Sequence, residues 1–478
     1  MKKQSGSSRR TFIKTSMLAG LGMGIGTQGL FRPNAAGATD PAPAKSAATR
    51  PRPAGQKPVF DLTTKPVDKV RVGIIGLGQR GSSLVRDLLA IDFVELAAVC
   101  DIRQERVDAI LKKARDARGL APKSHAGDEN AWEKLVAQDD LDVVYVATPW
   151  DWHVPMCVKA MLSGKHAFVE VTPALTIDEC WRLVDVSEKT QRHCSILENC
   201  CYGENELFVL NMVRKGVFGT LTHAECAYIH DLRGMLFKLG TEGDWRREYH
   251  KTLDGNLYPT HGLGPVCQYM DIGRGDNMKF LVSVSSPETG LSQYLRDKNP
   301  NNGRHAGEKY LCGDMNTSII KTELGRTIMV QHDVISPRPY SRINALCGAG
   351  ATFFDYPARL AIDNPSAHGL AAKGSHEWLG DADMLLMRDK FTHPLHSQLR
   401  KRAKASGHGG MDYVMNHRLL DCIRKGLTPD TTVYDAAAWS AIIELSCRSV
   451  EAGSLPVAVP DFTRGAWKKI PPLGIATA

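Results

Sequence analysis

The sequence predicts an α/β protein of two domains. A doubly wound parallel sheet is expected over residues 68–200, and a second α/β domain on a mixed or antiparallel sheet over 201–478. Three observations carry this. Short β-rich runs alternate with helical patterns between residues 70 and 197. The glycine-rich run Gly76-Leu77-Gly78-Gln79-Arg80-Gly81 stands between the first β-rich run and the helix after it. Beyond residue 200 the β-rich runs lengthen and fewer helical patterns separate them.

In order, strands are expected at 70–75, 94–100, 143–147, 167–171 and 193–197. They are short, predominantly apolar runs, as strands of a buried parallel sheet are. Helical patterns at 82–89, 104–114, 154–163 and 176–189 lie between them. The second domain is expected to carry strands at 221–229, 278–284, 317–324, 327–334 and 341–347. Two helical stretches, 412–425 and 433–452, close the chain, with no internal repeat and no coiled coil.

The first 38 residues read as a twin-arginine export signal. Ser8-Arg9-Arg10-Thr11-Phe12-Ile13-Lys14 follows a basic start, residues 17–31 are weakly apolar, and Ala36-Gly37-Ala38 offers small residues for cleavage. The apolar stretch falls short of the ~20 residues a membrane span needs. The twin-arginine export machinery is therefore an expected partner, and the periplasm or the exterior the expected location. Residues 39–67 are rich in Pro, Ala and Thr and read as a flexible linker. The net charge of +8 is largely the signal's, because residues 1–38 hold six basic residues and no acid. The balance of about +2 removes any argument for nucleic acid. Twelve scattered cysteines with no CxxC pair read as free thiols of a chain folded in a reducing compartment, not as a disulfide framework.

The glycine run follows a strand, opens a helix, and meets Asp101 at the end of the next strand. Gly76 permits a tight turn, Gly78 lets backbone approach a pyrophosphate at the helix N-terminus, and Gly81 completes the fingerprint. Asp101 is placed to accept hydrogen bonds from an adenosine ribose. A carboxylate there would repel a 2′-phosphate, which favours NAD over NADP. Trp150-Asp151-Trp152-His153 follow a strand's carboxyl end, where ligands bind in open α/β sheets, and the tryptophans are suited to pack on a nucleotide or a sugar.

Gly76–Gly81, Ala147-Thr148-Pro149 and Gly164-Lys165-His166-Ala167 resemble the Gfo/Idh/MocA oxidoreductases. That resemblance implies an N-terminal Rossmann domain followed by a C-terminal α/β domain with a large, mostly antiparallel open sheet, a face on which copies of the chain pair. Two departures weaken an ordinary dehydrogenase reading. The family's Glu-Lys-Pro is replaced by Glu170-Val171-Thr172-Pro173, without the lysine, and Leu257 stands where an Asp usually precedes the catalytic His by four. Five other motifs resemble glycoside hydrolase family 109. They are Glu198-Asn199-Cys200-Cys201-Tyr202-Gly203, Tyr228-Ile229-His230-Asp231-Leu232-Arg233, Trp245-Arg246, Tyr258-Pro259-Thr260-His261-Gly262-Leu263-Gly264-Pro265, and His408-Gly409-Gly410-Met411-Asp412.

This second resemblance implies an NAD-dependent α-N-acetylgalactosaminidase acting on a glycan or glycoconjugate. Hydride leaves C3 of the sugar, the ketone acidifies the C2 proton, the aglycone departs, water adds, and the hydride returns. It implies cofactor contacts from Gln79, Arg80, Asp101, Trp150 to His153, Glu170, Val171 and Asn199. It implies sugar contacts from Tyr228, Arg246, Tyr258, Pro259, Thr260, His261 and Tyr340, and no metal. His261 is the expected proton shuttle at the C3 hydroxyl. Tyr202, Tyr258 and Tyr340 are all candidates for the C2 base, provided neighbours lower the phenol's pKa. Asp412 reads as a helix-start residue. A periplasmic sugar oxidoreductase and a non-catalytic sugar-binding protein are the alternative readings.

Overall fold

The computed structural model describes residues 49–371 and 376–477, so the predicted export signal lies outside the described residues. Six strands form one all-parallel sheet: β1 (Val70–Ile75), β2 (Val94–Asp101), β3 (Lys123–Ala126), β4 (Val143–Val146), β5 (His166–Val169) and β6 (Cys194–Ile196). Their order is β3-β2-β1-β4-β5-β6. β4 and β5 are buried at every position, which is why they read as unbroken apolar runs. β3, a four-residue Lys-Ser-His-Ala edge strand, carries no apolar signal and is not among the strands expected from sequence. The chain reverses direction of travel across the sheet between β1 and β4. That switch point opens a ligand crevice beyond the strands' carboxyl ends.

The second sheet has eight strands: β7 (Leu221–Ile229), β8 (Met278–Ser285), β9 (Asn316–Thr322), β10 (Thr327–Asp333), β11 (Ala345–Gly348), β12 (Ala351–Phe354), β13 (Arg359–Ile362) and β14 (Val457–Ala458). Their order is β13-β12-β11-β7-β10-β9-β8-β14. β7 and β10 run parallel and every other neighbouring pair antiparallel, as the mostly antiparallel open sheet requires. The strand expected at 341–347 is split. Ser341 makes an isolated bridge to Ile229, and β11 starts only at Ala345. Ile343 and Asn344 between them adopt φ of +60° and +47°, which no strand accommodates.

Two late helices, Met411–Lys425 and Val433–Glu451, join the sheets. Tyr145 of β4 donates its hydroxyl hydrogen to Asn416 at 3.1 Å, and Cys180 reaches the carbonyl of Ala437. On the other side the Ser283 N–H of β8 donates to Ser449 at 2.9 Å. The described residues therefore pack as one compact unit although the sequence reads as two domains. Among the described residues no helix is long and apolar enough to cross a membrane, and all twelve cysteines are free.

The flexible linker expected over 39–67 is corrected where it is described. The Val59 N–H donates to the Tyr434 hydroxyl at 3.0 Å, and the Thr64 and Val67 N–H groups donate to the carbonyls of Gly426 and Arg424 at 2.9 Å. Proline-rich chain cannot form regular elements, but its remaining N–H groups still find partners. Glu188, with a side chain wholly shielded from solvent, anchors the strap by accepting from Arg52, Arg464 and the Tyr434 hydroxyl. Glu188→Ala leaves Arg464 and Arg52 without their shared carboxylate. We expect it to cost about 3 kcal/mol of stability, read as a lower midpoint in urea unfolding. An unchanged midpoint would show that the strap adds nothing.

Candidate active site

The glycine loop is a cradle that side chains would fill. Gly76 has φ +89°, and a Cβ there would lie 2.4 Å from the Ala147 carbonyl oxygen. A Cβ on Gly81 would lie 1.8 Å from the Gly76 carbonyl oxygen. A Cβ on Gly78 would approach only the Arg106 guanidinium, at 3.4 Å, so this residue borders the open side. The helix Gln79–Leu89 has neither a side-chain cap nor an acid in its first turn, which leaves its N-terminal N–H groups for an anion. Gln79 is exposed at that end. Asp101, buried at the end of β2, accepts from the Leu77 N–H at 2.7 Å and the Arg103 N–H at 3.0 Å, with Arg106 3.5 Å away. It therefore shapes the loop as well as facing the ribose position. A narrow, side-chain-free loop at a helix N-terminus with an acid beside it fits a dinucleotide.

Arg80 bridges two acids, Glu170 at 2.8 Å and Asp412 at 2.7 Å. Burial raises the pKa of Glu170, and Arg80 works against that rise. Burial also opposes ionisation of Asp412, but His408 at 2.8 Å and Arg80 hold its carboxyl far below the usual range. Asp412 in addition accepts from the Asn199 amide at 2.7 Å. Its expected role as a helix-start residue understates it: it is a buried hub.

The loop after β4 is only partly what the sequence suggested. Both ring nitrogens of His153 face backbone carbonyls, Thr172 at 2.7 Å and Thr148 at 2.8 Å. His153 thus braces the loop with both ring nitrogens engaged. Trp150 donates its indole N–H to the Val171 carbonyl at 3.2 Å, and its ring packs on Trp245, Tyr249 and Tyr258. Asp151 accepts from the Tyr249 hydroxyl at 2.8 Å, and Trp152 is half-buried beside it. Trp150 thereby joins the nucleotide crevice to the wall of a second, aromatic cleft.

That cleft gathers Tyr228 from the end of β7 with Tyr258 and His261 from the start of the helix Thr260–Tyr269. Ring centroids lie 4.5 Å apart for Tyr228–Tyr258 and 5.0 Å for Tyr258–His261. The glycines of the Tyr-Pro-Thr-His-Gly-Leu-Gly-Pro run explain the close fit. A Cβ on Gly262 would lie 2.6 Å from the Ala227 nitrogen of β7, and one on Gly264 2.9 Å from the Glu198 side chain. Pro259 and the buried Thr260 form the turn that presents His261. Arg246 is buried with its guanidinium 4.6 Å from the Tyr258 ring centroid and 5.4 Å from that of Trp150. Tyr340 closes the far edge, half-exposed, its hydroxyl accepting from Arg342 at 2.8 Å and its ring 5.1 Å from His230.

His261 Nδ1 lies 2.7 Å from the Glu198 carboxylate, which is wholly buried and also accepts from the Cys200 N–H at 3.2 Å. Burial pushes the Glu198 pKa up, but His261, Thr260 and the Cys200 N–H more than compensate and hold it below the ordinary value. This arrangement is an orienter–base pair, in which Nδ1–H donates to the carboxylate and Nε2 is left to exchange a proton. Ligand atoms of Glu198, Cys200 and His261 also lie within 4.8 Å of one another. Sequence reasoning gave Glu198, Asp412, His230 and Arg342 no site role. For Glu198 a signal existed: it follows β6 directly, at a carboxyl end where ligands bind.

The tyrosine expectation changes. Tyr202 turns away from the cleft, donating its hydroxyl hydrogen to Asp430 at 3.3 Å. Burial pushes the phenols of Tyr202, Tyr228, Tyr258 and Tyr340 upward, and Arg246 opposes that rise at Tyr228 and Tyr258. The lowered phenol pKa that a tyrosine base was expected to have is absent from this arrangement.

With that geometry in place, similarity to known proteins is informative. A family model described as the C-terminal domain of glycosyl hydrolase 109 matches residues 202–469, and one for the oxidoreductase-family NAD-binding Rossmann fold matches residues 70–197. The chain is 46% identical over 472 residues to a glycosyl hydrolase family 109 protein of Shewanella putrefaciens strain CN-32, covering 98% of this chain and 99% of that one. It is 45% identical over 476 residues to a relative of the same name from Shewanella baltica strain OS185, with the same coverage. Among solved structures, an oxidoreductase domain protein from Kribbella flavida superposes with a TM-score of 0.63 at 16% identity, over 82% of this chain and 100% of that one. Levoglucosan dehydrogenase in complex with NADH gives 0.61 at 16%, again over 82% and 100%. These two share the fold. The dinucleotide cradle, the aromatic cleft beside it and the full-length relatives together place the chain in glycosyl hydrolase family 109, a glycoside hydrolase built on the Gfo/Idh/MocA fold with NAD as its cofactor.

Proposed function

We propose that the protein is an exported glycosidase that hydrolyses terminal α-N-acetylgalactosaminides and returns its cofactor to the starting state in every turnover. The observation that carries this reading is the Glu198–His261 pair set among Tyr228, Tyr258 and Arg246, beside the dinucleotide cradle. Bound NAD supplies reversible hydride exchange with C3 of the sugar. His261 takes the C3 hydroxyl proton as the ketone forms and gives it back at the end, with Glu198 holding the ring and balancing the imidazolium. The ketone acidifies the C2 proton, whose loss expels the aglycone from C1. Water then adds at C1. Of the tyrosine candidates for the C2 proton we favour Tyr258, whose ring lies 5.0 Å from His261 and 4.6 Å from the Arg246 guanidinium; Arg246 opposes, without cancelling, the burial that raises its phenol, so sugar binding has to lower that pKa further. Arg246 has a buried Nε with no hydrogen-bond partner, its ion pair with Glu242 being long at 3.8 Å, and its fork suits the acetamide carbonyl.

A chromogenic α-N-acetylgalactosaminide should be cleaved without added NAD and without net NADH, and turnover in deuterated water should leave deuterium at C2. A steady stoichiometric rise in NADH would replace this reading with a sugar oxidoreductase, and sugar binding without turnover would replace it with a binding protein. Glu198→Gln keeps the shape of the pair but removes its charge. It is expected to lower kcat by about 10²-fold with KM little changed, because the imidazolium forms only during turnover. Equal falls in kcat on substitution of Glu198 and of an exposed acid such as Glu451 would contradict that role. Export rests on Arg9 and Arg10, so Lys at both positions should hold the protein in the cytoplasmic fraction. Pairing of two copies is the oligomeric state we propose, and light scattering tests it.

A further inference from the structure

Asp412 lies at the start of the helix Met411–Lys425, far along the chain from the glycine loop, yet its carboxylate fixes two side chains on the cofactor side. Oδ2 accepts from Arg80 Nη1 at 2.7 Å and from His408 at 2.8 Å, while Oδ1 accepts from Asn199 Nδ2 at 2.7 Å. Arg80 comes from the glycine loop after β1 and Asn199 from the turn after β6, so one carboxylate ties together the segments that follow two strands of the parallel sheet. Asp412 is fully buried, so this geometry has no solvent alternative.

The segment before it is shaped for the purpose. His408, Gly409 and Gly410 all have left-handed φ, +52°, +68° and +99°, which folds the chain back onto the helix Gln79–Leu89. A Cβ on Gly407 would lie 2.8 Å from Asp412 Oδ2, 3.3 Å from Arg86 and 3.5 Å from Ser83. The loop therefore rests on the helix whose N-terminus faces the cofactor position, with half-exposed His408 as its outer end.

We propose that Asp412 is a positioning residue for the cofactor, and that the loop 404–410 and Asp412 form a latch that sets how fast NAD leaves the protein. Without the carboxylate, Arg80 keeps only Glu170 and the Asn199 amide is free to turn, so both cofactor-side groups lose their fixed direction. The inference rests on the nucleotide site and not on the proposed sugar chemistry, so either can fail alone. It gives the late helix a reason to cross back: a protein parted from the cytoplasmic NAD pool keeps its cofactor only if release is slow.

The test is exchange of bound nucleotide in the purified full chain, followed with radiolabelled NAD. Asp412→Asn should speed exchange by about 10–100-fold, as loss of one partner of a buried charge pair does. Gly407→Ala, whose methyl displaces the same carboxylate without changing charge, should move exchange in the same direction. Both variants also disturb a buried charge pair, so the unfolding midpoint of the nucleotide-free chain should fall in both, and Glu188→Ala, which lowers stability away from the glycine loop, is the reference. Exchange at the parent rate in Asp412→Asn overturns the proposal, as does exchange no faster than in Glu188→Ala. Should Asp412→Asn not fold, exchange at the parent rate in Gly407→Ala overturns it.

Discussion

Replacing His261 by Ala is expected to lower kcat on the proposed substrate, an α-N-acetylgalactosaminide, by about 10²–10⁴-fold while the protein keeps its NAD. The ring lies 5.0 Å from Tyr258 and 5.5 Å from Tyr228 in the cleft, and its Nδ1 is committed to Glu198. Its contacts are with the cleft and not with the glycine loop, so the functional loss should fall on turnover and not on NAD retention. Charged and titratable groups facing it are Glu198, Glu170, Cys200, His230 and the two tyrosines. Removing the imidazole also leaves Glu198 as a buried carboxylate without its partner, so a modest loss of stability is part of the expected result. Bound nucleotide measured after acid release, beside steady-state release of nitrophenol, separates the effects. Parent kcat in His261→Ala would remove the imidazole from the reaction.

Gly81→Ala is expected to yield a chain that neither retains NAD nor melts at the parent temperature. The obstacle is steric and not conformational: a Cβ at this position lies 1.8 Å from the Gly76 carbonyl oxygen, an atom of the turn itself. One of the two must move, and moving Gly76 opens the loop that approaches the pyrophosphate. The overpacking alone costs about 1–3 kcal/mol. Melting with and without excess NAD checks it: the parent should be stabilised by added nucleotide and the variant should not. A variant that responds to NAD like the parent would show that the loop adapts without loss of the site.

Both expectations draw on residues that were visible in the linear chain, but to different degrees. The glycine loop was legible in full, because a strand, a turn and a helix N-terminus are neighbours in sequence. β1, β2, β4, β5 and β6 were legible for the same local reason, since strands of a buried parallel sheet read as predominantly apolar runs. Edge strands β3 and β14 carry no such signal, being four and two residues long. The split near Ser341 was hidden as well, because left-handed φ at Ile343 does not follow from its side chain.

In the site itself, His261 and its flanking glycines could be found, whereas their partners could not. Glu198 is 63 residues from His261, and Asp412 is 213 from Asn199 and 332 from Arg80. Periodicity and motif spacing report what lies within a few residues, and they named the parts: a dinucleotide loop, a histidine run and a set of tyrosines. Only the tertiary structure decided which parts meet. It turned Tyr202 toward Asp430, used both nitrogens of His153 on backbone carbonyls, and brought two late helices back across the parallel sheet. The physical reason is burial. A carboxylate such as Glu198 or Asp412 can be kept out of water only where cations and N–H donors from distant segments converge on it.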